Sequence, residues 1–154
     1  MKVLIIYDSK YGNTKIVAEN ILNCIKQVEG TDAAICYVKE VDPQIIASCD
    51  ALIIGAPNHM ASPSRTMKKF VEKLAELNPN AKNVAIFGTY SGRVRVTDRA
   101  VKKMERIVEK TLPNLKLLSP SLSVRVKGVT GPLADGELSK CQDFGKRIVK
   151  QLNP

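Results

Sequence analysis

The sequence predicts a doubly wound α/β fold with a five-stranded parallel sheet in the order 2-1-3-4-5. Short apolar segments alternate with amphipathic helical patterns along the whole chain, as expected for strands connected by helices. Most of these segments are continuously apolar rather than alternating, which indicates strands covered on both faces. Right-handed crossovers between such strands leave few topologies, and five strands fit this order.

The predicted strands and helices follow one another without a linker or repeat. The strands cover residues 3–7, 33–38, 51–55, 84–88 and, more weakly, 115–126. A short helix at residues 42–48 is predicted from Pro43, which suits a first helical turn. Ser62 and Pro63 are predicted as the N-cap and first residue of the helix that follows the third strand. Four longer helices present apolar faces at helical spacing, with these members: Val17, Ile21, Cys24, Ile25 and Val28; Met67, Phe70, Val71, Leu74 and Leu77; Ala100, Met104, Ile107, Val108 and Thr111; Leu138, Cys141, Gly145, Ile148 and Leu152.

The size of the chain predicts one domain, spanning residues 1–154. A length of 154 residues with 44% hydrophobic content supports one substantial core and is short for two. The N-terminal apolar run at residues 3–7 is too short for a signal peptide, and no apolar stretch approaches the length that crosses a bilayer. We therefore expect a cytoplasmic protein that does not bind membranes.

The charge of the chain is strongly basic and unevenly distributed. The net charge is +9; residues 1–50 carry 5 basic and 7 acidic residues, and residues 51–154 carry 19 and 8. Such a field attracts nucleic acid, an anionic membrane or an acidic protein, and does not choose among them. In the predicted fourth helix the basic residues alternate with acidic ones, which is typical of a solvated face. We therefore do not predict nucleic-acid binding.

The cysteines and the single histidine do not predict a metal site. Cys24, Cys36, Cys49 and Cys141 form no C-x-x-C pair and lie in or beside apolar stretches, so we expect buried free thiols. His59 has no partner at ligand spacing. No nucleophile or carboxylate is positioned in sequence to make His59 catalytic, and no catalytic residue is predicted.

The first loop of chemical interest, residues 8–14, follows the first strand and opens the first helix. It contains the hydroxyls of Ser9 and Thr14, the amide of Asn13 and a flexible Gly12. Free N–H groups and the dipole at a helix N-terminus favour a phosphate. The same residues could merely cap the helix, and the loop alone supports both interpretations equally. Its position at the switch point of this topology favours the phosphate, while the absence of P-loop and G-x-G-x-x-G patterns disfavours nucleoside triphosphates and dinucleotides.

Two further loops leave strand ends on the same edge of the predicted sheet. Residues 56–62 follow the third strand, and residues 89–93 follow the fourth. Tyr90 lies just beyond a strand end, where a flat ligand would gain stacking contact from it, with Met60 or His59 opposite. The alternative for Tyr90 is that its ring folds back onto the core with the hydroxyl in water.

These segments resemble the flavodoxin family. Residues 5–21 are similar to the flavodoxin signature, a strand that ends in an S-x-x-G-x-T loop and is followed by a helix, and Gly55-Ala56-Pro57 and residues 87–92 are similar to the two loops that bracket the flavin. The resemblance spans the whole chain and is to the short-chain branch. It implies a flavodoxin-like fold and non-covalently bound FMN as the cofactor.

The resemblance also implies a set of cofactor-binding residues. The first loop would hold the FMN phosphate, and the other two loops would hold the isoalloxazine ring, with Tyr90 as the stacking partner. The predicted cofactor-binding residues are Ser9, Lys10, Tyr11, Gly12, Asn13 and Thr14 in the first loop; Pro57, Asn58, His59, Met60 and Ala61 in the second; and Thr89, Tyr90, Ser91 and Gly92 in the third.

The function implied by the resemblance is electron transfer between redox proteins. Typical flavodoxins are acidic and often place a tryptophan over the flavin, whereas this chain is basic and has no tryptophan. We therefore expect redox partners with acidic docking surfaces, and a monomer or weak dimer. The alternative is an FMN-dependent reductase or oxidase that acts directly on a quinone, porphyrin or other small acceptor. Arg93 and Arg95 are hypothesised to lessen the cost of the anionic reduced flavin.

Overall fold

A computed structural model describes residues 1–92 and 98–154 and places a parallel sheet between two layers of helices. Arg93 and Arg95 lie outside the described residues. The strands are β1 (Lys2–Tyr7), β2 (Asp32–Tyr37), β3 (Ala51–His59), β4 (Ser62–Pro63), β5 (Asn83–Tyr90) and β6 (Lys116–Arg125), and the α-helices are α1 (Asn13–Lys26), α2 (Pro43–Ser48), α3 (Arg65–Leu77), α4 (Arg99–Thr111) and α5 (Glu137–Leu152).

The order of the sheet confirms the predicted topology. The path of hydrogen-bonded neighbours is β2-β1-β3-β5-β6, and each neighbouring pair on it is parallel. With β4 set aside, these are the five predicted strands in the predicted order. The connections reverse direction between β1 and β3, so the loops after these two strands open at one edge of the sheet, where such folds bind ligands.

The two faces of the sheet have separate cores. One core joins the sheet to α1 and α5, with Ile21 and Ile148 each 0% exposed. The other joins the sheet to α2, α3 and α4, with Met67 and Val108 each 0% exposed. The central strands are therefore covered on both sides, which explains their continuous apolar sequences. Burial of each large apolar side chain stabilises the fold by about 1.5–3 kcal/mol.

Two helical faces differ from the sequence prediction. In α5, Leu138 is 44% exposed, whereas Phe144 and Val149, which the prediction omitted, are buried. The first residue, Glu137, accepts a hydrogen bond from the Arg125 N–H at 3.1 Å and so sets the rotation of the helix against β6. In α4, Val101 is buried although the prediction omitted it, while the predicted Ile107 is partly buried and packs against the core and Thr111 is partly exposed.

The start of α3 also differs from the prediction. Ser62 and Pro63 form the short strand β4, which pairs antiparallel with Asn58 and His59. Pro63 lacks an N–H, and it is tolerated because this strand lies at an edge. The N-cap is the next residue, Ser64, whose hydroxyl accepts from the Met67 N–H at 3.4 Å.

The cysteines are free thiols, as predicted. Cys24, Cys49 and Cys141 are buried and Cys36 is half-buried, so the expected burial is wrong only for Cys36. Burial raises the pKa of the Cys141 thiol to about 11, with a further contribution from Glu137. Across residues 1–92 and 98–154, no helix is both long and apolar enough to span a bilayer.

Candidate functional site

A cleft lies at the carboxyl edge of the sheet, where the loops after β1, β3 and β5 meet the segment that follows β6. Its volume is about 80 Å³. Lys10 supplies a positive charge to the wall, and no carboxylate lies among the described lining residues. The lining residues are Ser9, Lys10, Tyr11, Asn13, Thr14, Pro57, Asn58, His59, Thr89, Tyr90, Ser91, Val126 and Val129.

The N-terminus of α1 faces this cleft without a capping side chain. Its N-cap is Gly12, in the left-handed conformation at φ 90°, and no side chain caps the helix there. The Ser9 hydroxyl instead accepts a hydrogen bond from the Gly12 N–H at 3.0 Å. By contrast, Asp42 and Ser64 cap α2 and α3. The first N–H groups of a helix have no acceptor within the helix, so those of α1 are available to an anion in the cleft. Among the described residues α4 and α5 also lack a capping side chain, so this feature alone does not exclude a purely structural role for the loop.

Two buried hydroxyls connect the first and third loops. Thr14 Oγ1 and Thr89 Oγ1 lie 2.9 Å apart, and the two residues are 1% and 5% exposed. Since one hydroxyl donates to the other, each retains capacity for a second hydrogen bond. The pair fixes the start of α1 against the end of β5 and places two hydroxyls on one wall of the cleft.

Asn13 lies against the segment that follows β6. It is 9% exposed, and its side chain lies so close to Gly131 that a Cβ on that residue would be 2.3 Å from Asn13 Oδ1. Gly131 also has φ 93°, which disfavours any other residue. The close approach and the positive φ both require glycine at this position.

The second loop is a tight hairpin between β3 and β4. His59 pairs with Ser62, which leaves Met60 and Ala61 as the two turn residues, at φ 54° and 62°. Such turns usually contain Asn-Gly or Gly-Gly, because both positions need positive φ. The side chain of Met60 is 100% exposed.

Two tyrosines line the cleft with very different exposure. Tyr90 is 7% exposed, so its ring is largely packed into the protein and offers a ligand only part of its surface. Tyr11 is 49% exposed, and Lys10 Nζ lies 5.3 Å from the centre of its ring. The accessible aromatic surface of the site therefore comes mainly from Tyr11.

The fourth wall of the cleft comes from residues that the sequence analysis did not consider. Val126 and Val129 line it, and Val129 is 69% exposed. Val126 forms a β-bridge with Leu133, and the Lys127 N–H donates to the Pro132 carbonyl at 2.8 Å, which folds this segment into a hairpin. The signal was available, because this segment also leaves the carboxyl end of a parallel strand.

The structure brings together most of the predicted site residues. Eleven of the fifteen line the cleft, and Gly12, Met60, Ala61 and Gly92 do not. Gly12 and Gly92 contribute backbone shape, at φ 90° and 117°. Met60 and Ala61 form the tip of the β3–β4 hairpin.

The arrangement of loops in this fold agrees with comparisons to known proteins. Residues 4–119 match the model of a protein family described as the flavodoxin domain. The chain belongs to the flavodoxin family. The flavodoxin of Aquifex aeolicus is 37% identical over 71 residues, which cover 46% of this chain and 38% of that protein. The flavodoxin of Clostridium saccharobutylicum is 32% identical over 89 residues, which cover 58% of this chain and 56% of that protein.

The matches span about two fifths and just over half of the length of these curated flavodoxins. A solved structure of a flavodoxin from the domain Archaea covers 100% of both chains with a TM-score of 0.82 at 24% identity, which shows the same fold. Flavodoxins bind FMN, so the expected cofactor is confirmed at the level of the family.

The donor groups of the cleft fit FMN. The uncapped N-terminus of α1, the hydroxyls of Thr14 and Thr89 and the ammonium of Lys10 suit a phosphate. Tyr11, Tyr90 and Val129 supply apolar surface for a ring system. The wall has no described carboxylate that would repel the phosphate.

Proposed function

We propose that this flavodoxin-family protein holds FMN in the cleft and carries electrons between redox proteins in the cytoplasm. The observation that carries the proposal is the uncapped N-terminus of α1, which opens onto the cleft beside paired hydroxyls. Bound FMN supplies the redox chemistry itself, accepting and releasing electrons. The protein's own residues bind, orient and partly shield it.

The first loop and the start of α1 would hold the phosphate. The N–H groups of the first turn point along the helix axis, where the dipole favours negative charge. The hydrogen-bonded pair of Thr14 and Thr89 adds one free hydroxyl donor, and Lys10 adds a positive charge at the exposed side. Because the side chain of Asn13 lies against the backbone of Gly131, we infer that the phosphate loop is preorganised by the segment after β6.

The hairpin and the third loop would hold the ring. Pro57, Asn58 and His59 line one side of the cleft, and Tyr90 and Ser91 line another. The packed Tyr90 would present part of its ring to the flavin, and Tyr11 would cover the more exposed part. The cleft lies among loops at the edge of the sheet, so a bound cofactor would keep one edge at the surface, where electrons can pass to a docked protein.

The basic charge supports partners with acidic docking surfaces. The net charge of +9 attracts an acidic protein at long range and raises its rate of association. We propose a monomer or weak dimer that meets such partners transiently.

The test is the visible spectrum of the purified protein, followed by stepwise anaerobic reduction. We expect a yellow protein with one FMN per chain that is reduced in two resolved steps. NAD(P)H and a quinone, without any added reductase, should give almost no turnover. Steady turnover in that assay would overturn the carrier role in favour of a reductase that acts on a small acceptor. Colourless protein that takes up no FMN would overturn the whole proposal.

A further inference from the structure

Three of the helices that begin at the cofactor edge, α1, α3 and α4, carry cations where helices favour acids, whereas α5 begins with the buried Glu137. No acidic residue lies in the first turn of α1, α3 or α4. Exposed Lys15, Arg65 and Arg99 lie there instead. A cation at a helix N-terminus opposes the helix dipole and weakens the helix. Because these three cations lie around one edge of the sheet and do not stabilise their helices, we look for a role in binding.

Charge is unevenly distributed along α3 and α4. The halves nearest the cofactor edge carry six cations, whereas the later halves carry both signs. The early cations are Arg65, Lys68, Lys69, Arg99, Lys102 and Lys103, the later acids are Glu72, Glu76, Glu105 and Glu109, and the later cations are Lys73, Arg106 and Lys110. The N-cap Asp98 is the exception, and it pairs with Lys102 at 3.0 Å. The cofactor ends of the two helices are therefore more positive than their other ends.

The β3–β4 hairpin lies between these two cationic helix ends. Its second strand runs directly into α3, and Pro63 borders a small cavity together with Ala100, Val101 and Met104 of α4. The tip of the hairpin projects Met60 fully into solvent, on a backbone at φ 54° that non-glycine residues rarely adopt. An exposed apolar side chain thus lies at the same edge of the sheet as the cationic starts of α3 and α4.

We propose that Met60, Arg65, Lys69, Arg99 and Lys103 form the docking surface for an acidic redox protein. This proposal rests on the proposed function, and it adds the location of the contact. Met60 is the apolar anchor, since methionine adapts to varied partner surfaces. The four exposed cations form the rim, which orients an acidic partner around the cofactor edge.

The same surface fits a protein better than a nucleic acid. A nucleic acid follows a continuous positive track along its phosphates. Here acidic residues interrupt both helices after their first turns, and the exposed group at the centre is a thioether rather than a ring that stacks on bases. An acidic rim around the redox centre of a partner protein matches the short cationic surface at the starts of α3 and α4.

The experiment measures binding of an acidic [2Fe–2S] ferredoxin, as the probe, to the FMN-loaded protein by calorimetry at low and high salt. One variant carries Arg65→Glu and Lys69→Glu, a second carries Arg99→Glu and Lys103→Glu, and a third carries Met60→Gln. Glutamate is favoured near a helix N-terminus, so the charge variants should fold at least as well as the parent. The matched control, Lys82→Glu with Lys116→Glu, makes the same charge change at the opposite edge, where β5 and β6 begin.

We expect each charge variant to weaken binding at low salt by about tenfold, and Met60→Gln by several-fold at both salt concentrations. The control should change binding by less than about threefold, and the two charge variants and the control should keep their FMN. Met60 lies in the hairpin proposed to hold the ring, so Met60→Gln is measured after saturation with FMN. Equal losses in the control and the charge variants would overturn the proposal, since only net charge would then matter. No binding of the ferredoxin by the parent, or tighter binding of duplex DNA that the same variants abolish, would also overturn it. Loss of FMN from the parent would instead count against the proposed function.

Discussion

The hydroxyls of Thr14 and Thr89 meet 2.9 Å apart in a buried position, joining the start of α1 to the end of β5. These residues are far apart in the chain and adjacent at the cofactor edge. One hydroxyl donates its proton to the other, so the accepting hydroxyl keeps its own proton to donate to a phosphate oxygen. The pair therefore combines a structural contact with a binding role.

Thr14→Val should weaken FMN binding at least tenfold and lower the free energy of unfolding by about 1–3 kcal/mol, because the Thr89 hydroxyl loses its partner. Thr14→Ser should keep most of both properties. The double variant Thr14→Val/Thr89→Val should lose less stability than the sum of the single variants. Fluorescence titration with FMN and urea unfolding measure the two effects, and strict additivity would contradict the account.

Gly131→Ala should both destabilise the protein and weaken FMN binding. The new Cβ would lie 2.3 Å from Asn13 Oδ1, and the backbone at φ 93° is unfavourable for alanine. Two controls separate the causes. Gly136→Ala introduces backbone strain at φ 81° without a close contact, so it should lower stability and leave FMN binding unchanged. Gly128→Ala adds a Cβ in open space and should change neither property much. Normal FMN affinity in Gly131→Ala would show that Asn13 is not needed at its present position.

Ala61→Gly should raise the free energy of unfolding by about 0.5–1 kcal/mol. Alanine at φ 62° is strained, and relief of that strain exceeds the extra entropy of the unfolded chain. The control is Ala47→Gly in the exposed face of α2, which should lower stability by a similar amount. Thermal and urea unfolding of both variants measure these changes, and destabilisation by Ala61→Gly would contradict the hairpin geometry.

Alkaline pH should destabilise the protein through Cys141. Burial raises the pKa of this thiol from 9.0 to about 11, so the folded state holds its proton where the unfolded state has lost it. The protonated thiol leaves the free energy of unfolding at its full value below about pH 9. That free energy then falls as the pH rises to about 11. The loss amounts to about 2–3 kcal/mol. Cys141→Ala should unfold with a shallower pH dependence over this range, and identical pH profiles would contradict the shift.

The elements that the sequence predicted are those with their own local pattern. Continuous apolar runs indicated the parallel strands, and the rule that ligands bind at the carboxyl ends of strands indicated three of the four walls of the cleft. The β3–β4 hairpin was missed because Met60 and Ala61 lack the Asn-Gly or Gly-Gly signature of a two-residue turn. The contact between Asn13 and Gly131 was missed because it depends on how distant segments pack, which no local pattern records.

The proposal that the N-terminus of α1 binds the FMN phosphate is tested most directly by comparing FMN with riboflavin, which lacks the phosphate. The apoprotein is titrated with each, and quenching of flavin fluorescence reports binding. We expect FMN to bind stoichiometrically and riboflavin to bind at least a hundredfold more weakly, because hydrogen bonds to a charged group contribute about 1.5–3 kcal/mol each. Equal affinity for the two flavins, or no uptake of FMN, would contradict the account.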